Sequence, residues 1–416
     1  MANPTFGMTI NRVDNEPRPA VGADLAVIGL VGTAPDADPA KFPLNTPVHV
    51  FSDDAEAAAA LGTSGSLAGQ IDLINAQLGE FQVAARTVIT RVEQGEDDDA
   101  TMQNLLGSSA LKTGMHSLLL SGPMLGVVPR LIGVPGYTWQ RDTAGGLANP
   151  ICAALPALLN RLLGHAVVSG PHDTLQGFTD WRETLNSQRL IPVETWVKVG
   201  VDGSVTDSVG SILGLAARRD FEKKGLPFHS WANQPLYGIV GPNRPIDFSL
   251  TDGATEGQAI LALNGGVILR GEAGVETAIA SGGYVFVGTD NAGEDDLWRF
   301  YNVTRGRDYI HLLFLKTLRF YLGKFNITAH TIDAVLNTMT LALRDLQAEG
   351  AILGFKVGFT RDKNSPENLR LGRFTIAFAA EEAPVLRHLT IESARYRPAL
   401  DALLSDLLTQ LDQVAA

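Results

Sequence analysis

The sequence predicts a multidomain protein of the α/β and α+β classes. The chain has 416 residues, more than one domain usually contains, and 45% of them are hydrophobic, which is enough for packed cores. Residues 23–240 alternate short apolar strands with helices, as expected for a mostly parallel sheet covered on both faces. Residues 284–396 carry a different pattern, in which two long helices are followed by short strands.

The α/β region, which has a possible subdivision near residues 95–110, shows local signals for each element. Residues 25–31 are a continuous apolar run, typical of a strand buried on both faces. Residues 47–51 form the next strand, and residues 52–54 (Ser-Asp-Asp) cap the Ala-rich helix that follows. Further strands and helices are predicted at residues 66–78, 83–92, 130–136, 151–163, 165–171, 174–185, 192–199 and 208–224.

The second half changes character at residue 241. Residues 241–283 are rich in Gly, Pro and short β-prone runs, and we predict that they connect two domains. Residues 297–304 alternate like a strand, and Gly350 stands where the left-handed residue that ends a helix is expected. The other predicted elements are helices at 308–324 and 328–349, strands at 284–288, 351–359, 371–378 and 386–393, and a leucine-rich helical tail within 397–416.

The first 22 residues indicate a strand on an extended leader. Residues 5–13 alternate, and a Pro-rich stretch follows them. Such a strand either forms an edge of its own domain or is an arm that pairs with the sheet edge of a neighbouring subunit. The residues assigned to the arm strand are Phe6, Met8, Ile10 and Val13.

Composition argues against several classes of partner. The formal net charge of −12 disfavours nucleic acid as the main ligand. Cys152 is the single cysteine, so no internal disulfide can form. No run approaches the roughly 20 apolar residues that span a bilayer, and the first residues lack the pattern of a signal peptide. We therefore expect neither membrane insertion nor secretion by a signal peptide.

Motifs of enzymes are missing from the sequence. There is no Walker-type phosphate loop, no His-Glu-x-x-His and no Gly-x-Ser-x-Gly elbow. Gly29 and Gly32 follow a strand but lack the full spacing of a dinucleotide loop, and Cys152 fits a buried small hydrophobe better than a nucleophile. We expect no catalytic residue, cofactor or metal. The alternatives of another class are an α/β enzyme with an oligomerisation domain and a soluble ligand-binding protein.

A basic run stands out within this acidic chain. Residues 297–324 contain six basic residues and a single acid, Asp308, which gives a local charge of about +5. One interpretation is a surface whose cations pair with acids elsewhere in the chain, and the other is a docking face for an acidic protein. The six basic residues are Arg299, Arg305, Arg307, Lys316, Arg319 and Lys324.

Four stretches, spread over nearly the whole chain, share their order and spacing with one protein family. They are the N-terminal strand with residues 26–38 (AVIGLVGTAPDAD) and 42–48 (FPLNTPV), residues 130–136 (RLIGVPG), residues 298–305 (WRFYNVTR), and residues 324–332 (KFNITAHTI) with the elements that follow. On these stretches the chain resembles the contractile tail sheath proteins of P2-like phages and tailocins.

The resemblance implies an architecture and a function. An inner α+β sheath domain is built from both chain ends, and one or more outer α/β domains are inserted between them. Subunits form hexameric rings that stack helically around a tail tube, and the partners are the chain itself, the tube protein, and the baseplate and tail terminator proteins. The sheath contracts and drives the tube through the host envelope, without a nucleotide site. The expected place is the virion tail, after assembly in the bacterial cytoplasm, with no contact to nucleic acid.

Carried onto this sequence, the resemblance gives roles to three groups of residues. The N-terminal strand becomes an arm donated to a neighbour, and residues 386–393 are the candidate C-terminal arm. The acceptor hairpin consists of Ile352, Phe355, Val357, Phe359, Phe374, Ile376 and Phe378. The basic run becomes the tube-facing surface. Whether the particle is a phage, a tailocin or another contractile injection system stays open.

Overall fold

The structure, a computed structural model, describes residues 24–81, 83–141 and 146–415. The predicted arm strand, with Phe6, Met8, Ile10 and Val13, lies outside the described residues. By compactness the chain divides into a body, Met1–Val385, and a C-terminal unit, Leu386–Ala416. The domain boundaries taken from the sequence remain predictions.

The largest sheet formed by the described residues of the body has six strands. They are β1 (Ile28–Thr33), β2 (Pro47–Phe51), β3 (Arg86–Val92), β4 (Leu131–Gly133), β5 (His165–Ser169) and β6 (Leu190–Val193). Their order across the sheet is β2-β3-β1-β4-β5-β6. The β2–β3 pair is antiparallel, and the other neighbours are parallel. The predicted, mostly parallel sheet is confirmed.

Helices cover this sheet on both faces. The described residues of this part form the α-helices α1 (Ala55–Ala60), α2 (Gln70–Leu78), α3 (Asp98–Leu106), α4 (Ser121–Leu125), α5 (Pro150–Leu162), α6 (Leu175–Arg182), α7 (Val209–Glu222) and α8 (Glu256–Ala262). Ile28 and Leu30 of β1 share one hydrophobic cluster with α2 and α7, whereas Val31 of β1 and Val27, just before the strand, share another with α3, α5 and α6. Alternate residues of one strand thus enter opposite cores, because successive side chains of a strand point to opposite faces.

Two smaller antiparallel sheets follow. Their strands are β7 (Val197–Val199), β8 (Ser204–Thr206), β9 (Gln234–Leu236), β10 (Gly241–Pro242), β11 (Val267–Arg270) and β12 (Tyr284–Val287), ordered β10-β7-β8 and β11-β12-β9. The single strand predicted at residues 192–199 is therefore wrong. Between β6 and β7, the amide of Glu194 donates to Gly266 and that of Trp196 to the Asn243 side chain, so the chain changes sheets there.

Two long helices come next, α9 (Tyr301–Leu318) and α10 (Ala329–Ala348). The predicted strand at 297–304 is wrong, because a 3₁₀ turn over Asp296–Trp298 leads into α9. The first six residues of α9 are all buried, so apolar and polar positions do not sort onto one helical face and the sequence period is misleading. Gly350, just beyond α10, has φ +74°, as its predicted position at the helix end requires.

A hairpin completes the body. Its strands are β13 (Ile352–Gly358) and β14 (Ala377–Glu382), and a short helix, α11 (Pro366–Arg370), lies in the connection. The strand predicted at 371–378 begins later than expected. The Asn364 side chain bonds the amide and carbonyl of Thr375 at 2.7 and 2.9 Å, which holds the preceding residues in a loop instead of a ladder.

The C-terminal unit contains one helix, α12 (Pro398–Ala415), which confirms the predicted helical tail. Residues 386–393 form no strand in this structure, which corrects the prediction of a strand there. Their apolar side chains are largely exposed, with 79% exposure for Leu386 and 81% for Ile391. The leucine stripe of α12 is exposed as well.

Candidate functional site at the junction helix and the hairpin

Helix α9 is joined to the α/β core by a buried ion pair. The Arg305 guanidinium donates two hydrogen bonds to the Asp220 carboxylate of α7, at 3.1 and 2.5 Å. Both side chains are almost inaccessible, 1% and 2% exposed, and the Arg305 guanidinium lies 5.1 Å from the ring centroid of Trp231. Arg305 therefore presents no charge at the surface of this subunit, and its assignment as a tube-facing residue is wrong.

A second connection links α9 to the beginnings of β5 and β6. Arg189 donates to the two oxygens of Asp308, at 2.5 and 3.2 Å. His165 Nε2 lies 3.0 Å from Thr304 Oγ1, and burial lowers the pKa of His165 to about 3, so its imidazole is neutral. The only acid of the basic run is thus used to fasten the helix inside the body.

Thr304, His165 and Asp308 bring a hydroxyl, an imidazole and a carboxylate together, which tests the enzyme alternative. The Thr304 hydroxyl donates to the carbonyl of Tyr301 at 3.1 Å. The distance from His165 Nδ1 to Asp308 Oδ2 is 3.9 Å, beyond a hydrogen bond, and an imidazole with a pKa of about 3 is a poor general base near neutral pH. His165 Nδ1 thus has no hydrogen-bond partner among the described residues, and the group does not activate a nucleophile.

Two more arginines of the basic run pair with acids of the same chain. Arg299 donates to Asp290 at 2.9 Å, and it is 29% exposed. Arg307 donates to both oxygens of Glu382 at 2.6 and 2.8 Å, and it is 21% exposed. Their charges are neutralised within the subunit. For these two arginines the interpretation as cations paired with acids elsewhere in the chain applies, and the interpretation as a docking face for an acidic protein does not.

The other three cations lie near the end of α9 and beyond it. Lys316 is half-buried, and burial together with the neighbouring cations Arg130, Arg319 and Arg86 lowers its pKa. Arg319 and Lys324 are exposed. Exposed apolar side chains accompany them, namely Leu315, Leu322 and Phe325. This end of the helix, with Lys316, Arg319 and Lys324, is called the basic tip below.

The predicted acceptor hairpin forms a sheet of only two strands among the described residues. Its inner face packs on the core of α9 and α10, and Phe378 meets Phe314 of α9 with ring centroids 5.1 Å apart. Within the described residues each strand keeps one edge without a ladder partner, and such an edge can accept a further strand. The residues of the inner face are Ile352, Phe355, Val357, Ile376 and Phe378.

The structure thus divides the predicted hairpin residues by role. The inner-face side chains anchor the hairpin to its own subunit, while the open edges consist of backbone groups. Phe359 and Phe374 pack against each other, with centroids 5.3 Å apart, just outside the paired strands. Sequence reasoning missed the acids that fasten α9, because Asp220 and Glu382 are 85 and 75 residues away from their arginines.

Other kinds of site are not seen in the described ranges. They contain no group of three or more His, Cys, Asp or Glu side chains that could hold a metal ion. Among the helices of those ranges, none combines the length and the apolar character needed to cross a membrane. The features left for a functional role are the basic tip, the open hairpin and the ion pairs of α9.

Comparison with known proteins gives the chain its relatives. It is 26% identical to the tail sheath protein of Escherichia phage P2, over 99% of this chain and 100% of that protein. It is also 26% identical to a putative prophage major tail sheath protein of Pseudomonas aeruginosa (strain UCBPP-PA14), over 88% and 90% of the two chains. No protein-family model matches the chain.

The chain is a relative of the phage tail sheath proteins. Its fold agrees with that relationship. The sheath of an extracellular contractile injection system (PVC), solved in the contracted state, superposes with a TM-score of 0.67 at 12% identity, over 95% of this chain and 99% of that one. The contracted helical sheath of the anti-feeding prophage gives 0.64 at 15% identity. The α/β and α+β multidomain fold predicted from the sequence is therefore a sheath fold, and the relatives are structural proteins.

Proposed function

We propose that this protein is the structural subunit of a contractile tail sheath, which polymerises around a tail tube and shortens to drive the tube through the envelope of a host cell. The observation that carries the proposal is similarity over the whole length to the P2 tail sheath protein, 26% over 99% of the chain. The subunit is a mechanical part of a virion tail, and it acts without a catalytic site.

Self-assembly through strand addition is the means of polymerisation that we propose. The hairpin β13–β14 offers one open edge on each strand, and the arm strand with Phe6, Met8, Ile10 and Val13 would supply a partner from a neighbouring subunit. Residues 386–393, with exposed Leu386 and Ile391, would supply a second. Each backbone hydrogen bond contributes about 1 kcal/mol net, so single arms are weak and the repeated links of a ring hold by avidity.

The basic tip is the proposed contact with the tail tube. Arg319 and Lys324 are exposed, and exposed apolar side chains surround them. An acidic tube surface would attract this cationic end while leaving the apolar contacts weak enough to break on contraction. We further propose that the subunits form hexameric rings and that the sheath contacts the baseplate and tail terminator proteins. Assembly takes place in the cytoplasm of the bacterial host.

The sheath belongs to a phage tail, a tailocin or another contractile injection system. A phage tail fits the P2 relative, whereas the superposed structures are sheaths of an extracellular contractile injection system and an anti-feeding prophage. A tailocin or another injection system would use the same subunit in the same way. Genes next to this one distinguish the cases, since only an infectious phage requires capsid and packaging proteins.

Removal of residues 1–22 tests the proposed assembly. We expect the full chain to form tubes that are visible by negative-stain electron microscopy, and the truncated chain to stay a folded monomer. Circular dichroism and size-exclusion chromatography verify folding and mass. Normal sheaths from the truncated chain would contradict the arm, and a full chain that never polymerises at any salt or protein concentration would contradict the proposed function.

A further inference from the structure

Arg307 holds the base of the hairpin in a cage of contacts. Its guanidinium donates to both oxygens of Glu382, at 2.6 and 2.8 Å, and to the carbonyl of Ala380 at 2.6 Å. The ring centroids of Trp298 and Phe378 lie 4.9 and 5.6 Å from the Cζ atom of Arg307. The Glu382 side chain is 3% exposed. We call Arg307, Glu382 and the carbonyl of Ala380 the Arg307 clamp.

The clamp sits where the hairpin gives way to the C-terminal unit. Glu382 is the last residue of β14, and the second unit begins four residues later at Leu386. The backbone between them has two further bonds, from Ala383 to Ala351 at 3.2 Å and from Asn302 to Ala383 at 3.3 Å. Beyond this point the apolar side chains of residues 386–391 are exposed, and these residues belong to no strand in the part of the chain that the structure describes.

Helix α9 connects the clamp to the rest of the body. Arg307 is flanked in sequence by Arg305 and Asp308, whose ion pairs reach Asp220 of α7 and Arg189 before β6. Three ion pairs thus lie within about one turn of α9. The pair of Arg307 attaches the helix to the hairpin, and the pairs of Arg305 and Asp308 attach it to the α/β core. Tension applied to the chain after Glu382 is therefore transmitted through the Arg307 clamp to α9. From α9 it reaches the α/β core through the ion pairs of the buried carboxylates Asp220 and Asp308.

We propose that Arg307 is a positioning residue, which fixes the point where the C-terminal extension leaves the body and transmits tension from neighbouring subunits into α9. This inference rests on the proposed sheath function. A bidentate arginine–carboxylate pair suits the role, because its two parallel hydrogen bonds define an orientation as well as a distance. A lysine at this position would keep the charge but lose the orientation.

The sequence offers a matched control in the adjacent residue. Glu381 is exposed, whereas Glu382 is buried in the clamp. Glu382→Gln and Glu381→Gln remove the same charge, one residue apart, so differences between the two variants report the clamp and not net charge. Cys152 is buried, at 2% exposure, so thiol-directed spin labels attach to introduced cysteines at the exposed positions Lys356 and Arg161.

The first measurement uses the isolated full-length subunit. Pulsed dipolar spectroscopy gives the distribution of distances between a label on β13 (Lys356→Cys) and one on α5 (Arg161→Cys). We expect Glu382→Gln to widen the distribution at least twofold and Glu381→Gln to leave it unchanged, while circular dichroism shows the same folded body for all proteins. An unchanged width for Glu382→Gln would overturn the positioning role. A carboxylate that only adds stability could be lost without changing the distances between the hairpin and α5.

The second measurement uses polymers of the same variants. Sedimentation gives the lowest concentration at which sheaths form, and we expect Glu382→Gln to raise it roughly tenfold, the equivalent of about 1.4 kcal/mol, with Glu381→Gln within twofold of the unchanged chain. A widened distance distribution with normal assembly and contraction would overturn the role in transmitting tension. If the unchanged chain forms no polymer, both the sheath function and the role in transmitting tension are overturned, and the label distances still decide whether Arg307 positions the hairpin.

Discussion

Neutralising Asp220 should destabilise the body severely. In Asp220→Asn, the Arg305 guanidinium keeps its charge at a site where it is 1% exposed, with one weak acceptor in place of two strong ones. Removing one partner of a buried ion pair typically costs about 3–5 kcal/mol, because the remaining charge stays desolvated. The amide oxygen of the substituted side chain still accepts one hydrogen bond, so we expect the lower end, about 3 kcal/mol.

Two further variants isolate the cause. Glu349→Gln removes one charge from the Lys224–Glu349 pair, whose side chains are 75% and 49% exposed, and should cost less than about 0.5 kcal/mol. The double variant Asp220→Leu with Arg305→Met replaces both charges by apolar groups of similar volume and should return to within about 1 kcal/mol of the unchanged chain.

Urea unfolding, followed by tryptophan fluorescence below the polymerisation concentration, measures these free energies. Trp231 is a suitable reporter, since its ring centroid lies 5.1 Å from the Arg305 guanidinium. If Asp220→Asn unfolds at the same urea concentration as Glu349→Gln, the pair is not a buried bond between α7 and α9. The claim that α9 is fastened to the α/β core would then be wrong.

Three other predictions concern the basic tip, the pH dependence of stability that His165 causes, and nucleotide binding. Reversing Arg319 and Lys324 to Glu should weaken co-sedimentation with the tail tube protein, most strongly at low salt, and equal binding at all salt concentrations would remove the basic tip as a contact. Between pH 6.5 and about 3 the unfolded chain protonates His165 and the folded chain does not. The free energy of unfolding should therefore fall as pH falls, less steeply in His165→Gln, and parallel pH curves would contradict this. Calorimetry with ATP should show no binding, and a micromolar affinity would revive the enzyme alternative.

Much of the fold follows from the sequence because local signals and burial agree there. Residues 47–51 are both the predicted and the observed β2, and Asp54 caps α1 by accepting from the amide of Ala57 at 2.9 Å. The α/β alternation implied a mostly parallel sheet, since a strand buried on both faces is apolar throughout. The family resemblance was visible in short stretches whose order and spacing extend along the chain.

The errors cluster where tertiary contacts override a local pattern. Residues 297–304 alternate like a strand, yet they enter α9, because the start of that helix is buried on all sides and loses its period. Residues 371–376 have strand-forming side chains, but the Asn364 side chain takes the backbone bonds of Thr375. In both places, contacts with groups outside the segment decided its local conformation.

The sequence by itself showed the resemblance to tail sheath proteins, which rests on short stretches and their order, and it showed that residues 297–324 are basic. It did not determine which of those charges reach the surface. Only the tertiary structure separated Arg305, buried against Asp220, and Arg307, held by Glu382, from the exposed Arg319 and Lys324. The physical reason is that an ion pair depends on two groups that folding brings together, and the sequence lists the charges without their partners.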